Sequence, residues 1–84
     1  MTTEKILVSI LAEVEQAEKK HPIWPSNLIH GGAIVSEEAG EFIKAILDYN
    51  EHKSSKYWIM REAVQTAATA IRFLKNFNME DENE

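Results

Sequence analysis

The sequence predicts an all-α fold: a three-helix chain, with two long antiparallel helices and an N-terminal helix, that assembles into a multi-helix bundle as a homo-oligomer. Apolar residues recur at helical spacing in three segments, and no segment has the alternating pattern of a strand. The 84 residues include no cysteine, so neither disulfides nor thiolate zinc sites can stabilise so small a core. Association with further copies is the expected source of the missing stability.

The first helix is predicted over residues 3–20. Thr3 can serve as its N-cap, and His21 precedes a proline, which disfavours helical geometry at that residue. Residues 22–25 then form a stiff, extended connector with a proline at each end. The apolar positions of this helix are Ile6, Leu7, Ile10, Leu11, Val14 and Ala17.

The second helix is predicted from Ser26, a suitable N-cap, to about residue 51. Gly31 and Gly32 lie in its first half, and each costs about 1 kcal/mol relative to alanine in a helix interior. Close approach by another backbone is the favoured explanation for the glycine pair, and room for a ligand is the alternative.

The third helix is predicted over residues 56–76, after a short turn in which Ser54 or Ser55 provides the cap. Its wide apolar face is rich in alanine, as close helix packing requires. The chain is therefore interpreted as one domain over residues 1–78, followed by an acidic, disordered tail at residues 79–84. The apolar face consists of Ile59, Met60, Ala63, Val64, Ala67, Ala68, Ile71 and Leu74.

The formal charge of −5 limits the partners. Nucleic-acid duplexes and anionic membranes require a basic surface, so neither is expected to bind. A single nucleotide remains compatible, because a bound cation can neutralise its phosphates. We expect a soluble, cytoplasmic protein, because the sequence contains no secretory signal and no apolar run of the roughly 20 residues that a membrane span needs.

Several carboxylates are the most informative feature. Glu37 and Glu41 lie about 40° apart on the second helix, and Glu38 lies about 60° from Glu41. Glu62 and Gln65 are one turn apart on the third helix, so antiparallel packing would gather Glu38, Glu41 and Glu62 around one point. Hard cations such as magnesium prefer oxygen ligands of this kind. The alternative is a solvated acidic face, which is the usual role of such a run.

Other residues are candidates for binding a substrate, each with an ordinary structural alternative. A lone helix histidine is more often partly buried and hydrogen-bonded, a tryptophan more often packs in a core or interface than on a base, and a surface cation is often merely solvated. The candidate substrate-binding residues are Trp24, His30, Lys44 and Arg72; Trp58, Arg61 and Lys56 are further candidates for such contacts. The sequence has no phosphate-binding glycine loop and no nucleophile elbow, so metal-activated water is the expected nucleophile.

The carboxylate pattern resembles that of the all-α nucleoside triphosphate pyrophosphohydrolases, which include MazG-like proteins, dimeric dUTPases and phosphoribosyl-ATP pyrophosphatases. Their motif is Glu-Glu-x-x-Glu on one helix and Glu-x-x-Asp on the next. Here the first half is residues 37–41, including the glycine before the last glutamate, and the second half begins at Glu62. The resemblance extends over residues 26–74.

This resemblance implies hydrolysis of a nucleoside triphosphate to a monophosphate and pyrophosphate, with Mg²⁺ (or Mn²⁺) at the four motif positions. It implies that Glu38, Glu41 and Glu62 are metal ligands, and that Glu37 is a further carboxylate or a water-orienting base. It also implies a homodimer or homotetramer with sites completed between chains. One position departs from the motif, because Gln65 replaces aspartate and is a neutral, weaker ligand. The alternatives are therefore a catalytically impaired nucleotide-binding or regulatory module, and a purely structural bundle.

Overall fold

The computed structural model describes residues 1–79 and consists of three α-helices: α1 (Thr3–Lys20), α2 (Leu28–Asn50) and α3 (Lys56–Lys75). The described residues contain no strand, and the helices pack against one another, which confirms the predicted all-α class. The expected disordered tail at residues 79–84 lies outside the described residues, apart from Met79.

The third helix is the centre of the fold, because both α1 and α2 pack against it. The core between α1 and α3 is formed by Ile10, Val14 and Ala68, of which Ala68 is only 2% exposed. An alanine at this position lets the two helix backbones approach closely, since it has no side chain beyond Cβ. Three partly buried residues of α3 surround this core: Val64, Ala67 and Ile71.

The helix starts are set by side-chain caps that lie next to the expected ones. Thr2, instead of Thr3, accepts a hydrogen bond from the Lys5 amide, and Asn27, instead of Ser26, accepts one from the His30 amide. Adjacent residues with similar capping strength make this choice hard to predict from sequence. The N-cap of α3 is Ser55, as expected, but its side chain makes no capping bond.

The connector between α1 and α2 packs directly onto Gly31, which is buried. A Cβ at this position would lie 3.0 Å from Trp24 Nε1 and 3.3 Å from Phe73 Cδ2. Close approach therefore explains the glycine at this position. The groups that approach it are side chains, whereas the sequence favours a backbone. Gly32 faces open space, where a Cβ would meet no atom within 4 Å.

A single chain leaves much of its apolar surface exposed. Among the described residues only four apolar side chains are buried: Ile10, Val14, Ala45 and Ala68. The exposed apolar residues of α2 include Leu28, Ile29, Ile43, Ile46 and Leu47, and those of α3 include Met60 and Leu74. None of the three helices has the length and apolar character needed to cross a membrane.

Candidate functional site

A cavity of about 500 Å³ lies where α1 and the connector face α2 and α3. It brings together four of the residues that the sequence singled out. Glu38 reaches it from α2, Gln65 and Arg72 reach it from α3, and Trp24 reaches it from the connector. We call this space the main cavity.

A smaller hollow of about 220 Å³ lies nearby between α2 and α3. It is lined by Glu41 and Lys44 of α2 and by Glu62 of α3, so the expected metal ligands are divided between two neighbouring spaces. Glu37 and His30 are exposed and line neither of them.

Thr66 joins α2 to α3 at the level of the carboxylates. Its hydroxyl oxygen lies 2.7 Å from the Glu62 carbonyl oxygen of its own helix and 3.1 Å from the Glu38 carbonyl oxygen of α2. The hydroxyl proton is shared between these two acceptors, which fixes the two motif segments side by side. Sequence reasoning missed this role, because a helix threonine ordinarily bonds only to the carbonyl one turn before it.

The environment of Glu38 is crowded with negative charge. Burial raises the pKa of Glu38 above its ordinary value of 4.5, and neighbouring carboxylates raise it further. Those carboxylates are, in decreasing order of effect, Glu62, Glu37, Glu41 and Glu13. The charge of Glu62 on α3 therefore acts on Glu38 of α2, and Glu13 of α1 is a further contributor that the sequence did not indicate.

The carboxylates do not form a ready-made metal cage. Within residues 1–79, no three His, Asp or Glu side chains are placed together so that they could hold a metal ion. Their oxygen donors nevertheless have the chemistry that magnesium prefers.

Arg72 is placed differently from what the sequence suggested. The structural alternative for it was a solvated surface cation, yet Arg72 is buried between α3 and the connector. Its guanidinium donates to the His21 carbonyl and lies 5.1 Å from the centre of the Trp24 ring. The connector is thereby attached to α3, and one face of Trp24 is already in contact with a cation.

Two other candidate residues lie on the surface. His30 is exposed, so the interpretation of it as a partly buried residue is wrong for the single chain. The Lys44 ammonium lies 3.1 Å from the carboxylate of Asp48, which is one turn further along the same helix. The hydrogen bond that Lys44 donates to Asp48, together with the negative charge of that carboxylate, raises the pKa of Lys44.

Trp58 is also exposed, at 51%, and packs edge-on against Tyr57, with 5.2 Å between the ring centres. Within one chain it is therefore not a core residue.

Comparison with known proteins finds no matching protein-family model, no matching curated protein and no matching solved structure.

The raised pKa of Glu38 has a consequence for stability. Because the folded state holds this proton more tightly than the unfolded state, the contribution of Glu38 to the free energy of unfolding falls as the pH rises above about 4.5. We expect Glu38→Gln to raise the melting temperature at pH 7 in a metal-free buffer, and this gain to vanish at pH 4.

The measurement is thermal unfolding by circular dichroism at both pH values. The control is Glu15→Gln, which removes an exposed carboxylate paired with Lys19 at 3.5 Å and should give no gain. A lower melting temperature for Glu38→Gln at pH 7 would contradict the assignment of crowded negative charge.

Proposed function

We propose that this chain is a magnesium-dependent nucleoside triphosphate pyrophosphohydrolase, which converts a ribo- or deoxyribonucleoside triphosphate to the monophosphate and pyrophosphate. The observation that supports this most is the position of Glu38 beside Glu62, fixed by the Thr66 hydroxyl between their two helices. The two halves of the motif that resembles the pyrophosphohydrolases thus lie on helices that are joined at the level of Glu38 and Glu62.

The proposed metal ligands are Glu38, Glu41, Glu62 and Gln65. The negative charge of Glu62, Glu37 and Glu41 around Glu38 favours a cation, and the donors are all oxygen atoms, which suits Mg²⁺ and also Mn²⁺. When bound, the ion would neutralise phosphate charge and lower the pKa of a coordinated water. Glu37, exposed at the edge of this group, would orient that water or accept its proton.

The main cavity is the proposed nucleotide site. Its volume of about 500 Å³ is within the usual range of roughly 300–1,000 Å³ for small-molecule pockets. Trp24 and Arg72 line it together with Glu38, so an aromatic ring, a cation and an acid all face one space. His30 and Lys44 lie outside the main cavity and would take part only through rearrangement or another chain.

The proposed partners follow from the surface. The net charge of −5 disfavours nucleic-acid duplexes and membranes, and the exposed apolar residues of α2 and α3 favour self-association as a homodimer or homotetramer. We place the protein in the cytoplasm.

The second candidate is a nucleotide-binding or regulatory module that has lost catalysis. Gln65 favours it, because this neutral amide lines the main cavity with Glu38 at the motif position where the pyrophosphohydrolases have aspartate. Fewer negative charges weaken the hold on magnesium.

The test is pyrophosphate release from a panel of canonical and modified nucleoside triphosphates with magnesium, measured for the wild type and for Gln65→Asp. We expect release by the wild type, and tighter magnesium binding by Gln65→Asp in calorimetry. The control is Gln16→Asp, which adds the same charge to the α1 side of the main cavity.

Release by Gln65→Asp alone would favour the nucleotide-binding module. If neither protein releases pyrophosphate or binds magnesium, the proposal is wrong.

A further inference from the structure

Arg72 is a buried cation without an acidic partner. Its residue surface is only 6% exposed, and none of the ion pairs among the described residues includes it. One guanidinium nitrogen donates to the His21 carbonyl, whereas Nε has no hydrogen-bond partner. Burying a charge and a donor in this way is unfavourable unless something compensates for them.

None of the other charged groups of the main cavity pairs with Arg72, so the partner that this arginine lacks is an anion. Arg61 also lines the cavity, but its guanidinium is paired with the Glu13 carboxylate at 3.2 Å. Lys20, at the end of α1, lines the cavity and has no ion pair among the described contacts. Arg72 and Lys20 are therefore the two cations of the cavity that are available to pair with a bound anion.

The acidic residues lie toward the other end of the cavity. Glu38 is joined to α3 through Thr66, and Arg72 follows Thr66 by six residues. At a rise of about 1.5 Å per residue, Thr66, where Glu38 is joined to α3, and Arg72 are about 9 Å apart along the helix axis. An anion at Arg72 would thus be held away from the carboxylate cluster.

We propose that Arg72, with Lys20, forms a subsite for a phosphate group at the connector end of the main cavity. The guanidinium suits an oxyanion because it presents fixed N–H donors, and its contact with the Trp24 ring holds its plane in place. This goes beyond the proposed hydrolysis, because the subsite requires neither magnesium nor turnover.

The experiment titrates inorganic pyrophosphate into ¹⁵N-labelled wild-type protein in the presence of EDTA. The Nε–H signal of Arg72 is identified by its absence from Arg72→Lys. We expect this signal to shift and saturate, while the Nε–H signal of Arg61 stays in place. Malonate, a dicarboxylate, distinguishes phosphate from carboxylate and should bind more weakly.

Calorimetry with two variants gives the second measurement. Because a hydrogen bond to a charged group is lost, Arg72→Gln should weaken pyrophosphate binding by about tenfold or more. Arg61→Gln is the matched control, since it removes the paired arginine of the same cavity, and should change the Kd by less than about threefold.

An unmoved Arg72 signal in the wild type overturns the proposal, and so does equal loss of binding in the two variants or tighter binding of malonate. If Arg72→Gln does not fold, the wild-type titration still decides. A protein that binds pyrophosphate in EDTA but hydrolyses no nucleotide would support this subsite while removing the proposed activity.

Discussion

Replacement of Glu38 and Glu41 together by glutamine should abolish magnesium binding and lower magnesium-dependent pyrophosphate release by at least about 10³-fold. A bound metal supplies several kcal/mol of transition-state stabilisation, and each 1.36 kcal/mol corresponds to a factor of ten in rate. The double variant should stay folded and equally helical, because it removes repulsion from around Glu38. Among the described residues, neither side chain forms an ion pair or a hydrogen bond that the substitutions would break.

The readouts are calorimetry with magnesium, pyrophosphate release and far-ultraviolet circular dichroism. A matched control is Glu15→Gln with Glu51→Gln, which removes the same charge from two exposed sites paired with lysines and should leave magnesium binding unchanged. Equal loss of binding in the control would mean that magnesium responds only to net charge. Undiminished binding by the Glu38 and Glu41 variant would exclude these residues as ligands.

The positions of the helices could be predicted closely because local signals determine them. Pro22 and the polar turn at residues 52–55 interrupt the helical pattern, and α1 and α3 begin or end within one residue of the predicted limits. Only the start of α2 moved by two residues, since Ser26 and Asn27 are both good caps and Asn27 is the one used.

The faces of α3 were harder to predict, because periodicity groups residues on one side of a helix without saying which neighbour covers that side. Ala68 was placed on the apolar face and is buried as expected. Met60 and Leu74 share that apolar pattern, yet they remain exposed in the single chain. Arg72 does not belong to the apolar pattern, yet it is buried beside the connector, whose path no local pattern encodes.

The site shows the same division between local and long-range information. The spacing of Glu38, Glu41 and Glu62 predicted that they would gather around one point, whereas Glu38 lines the main cavity and the other two line the smaller hollow. The roles of Glu13 and Thr66 depend on how α1 and α2 pack on α3. Such contacts join residues 28 and 48 positions apart, so no short motif contains them.

Introducing lysine at Ile43 and Ile46 should dissociate the protein into monomers and lower its melting temperature by about 10 °C or more. Each of these α2 residues is exposed in the single chain, at 53% and 37%. Ile29 and Leu47 of the same helix are exposed as well, and apolar surface exposed to this extent is typical of an interface between chains. In so small a domain, losing a few kcal/mol of stabilisation from apolar burial would lower the melting temperature by about 10 °C or more.

Light scattering coupled to size exclusion measures the mass directly, and thermal unfolding at several concentrations gives a second measurement. The wild type should be a dimer or tetramer whose melting temperature rises with concentration, because association stabilises only the folded state. The matched control is Ala12→Lys with Gln16→Lys, which adds the same charge to exposed positions of α1 and should leave the mass unchanged. A monomeric wild type with a concentration-independent melting temperature would contradict self-association, and dissociation of the control would mean that net charge alone separates the chains.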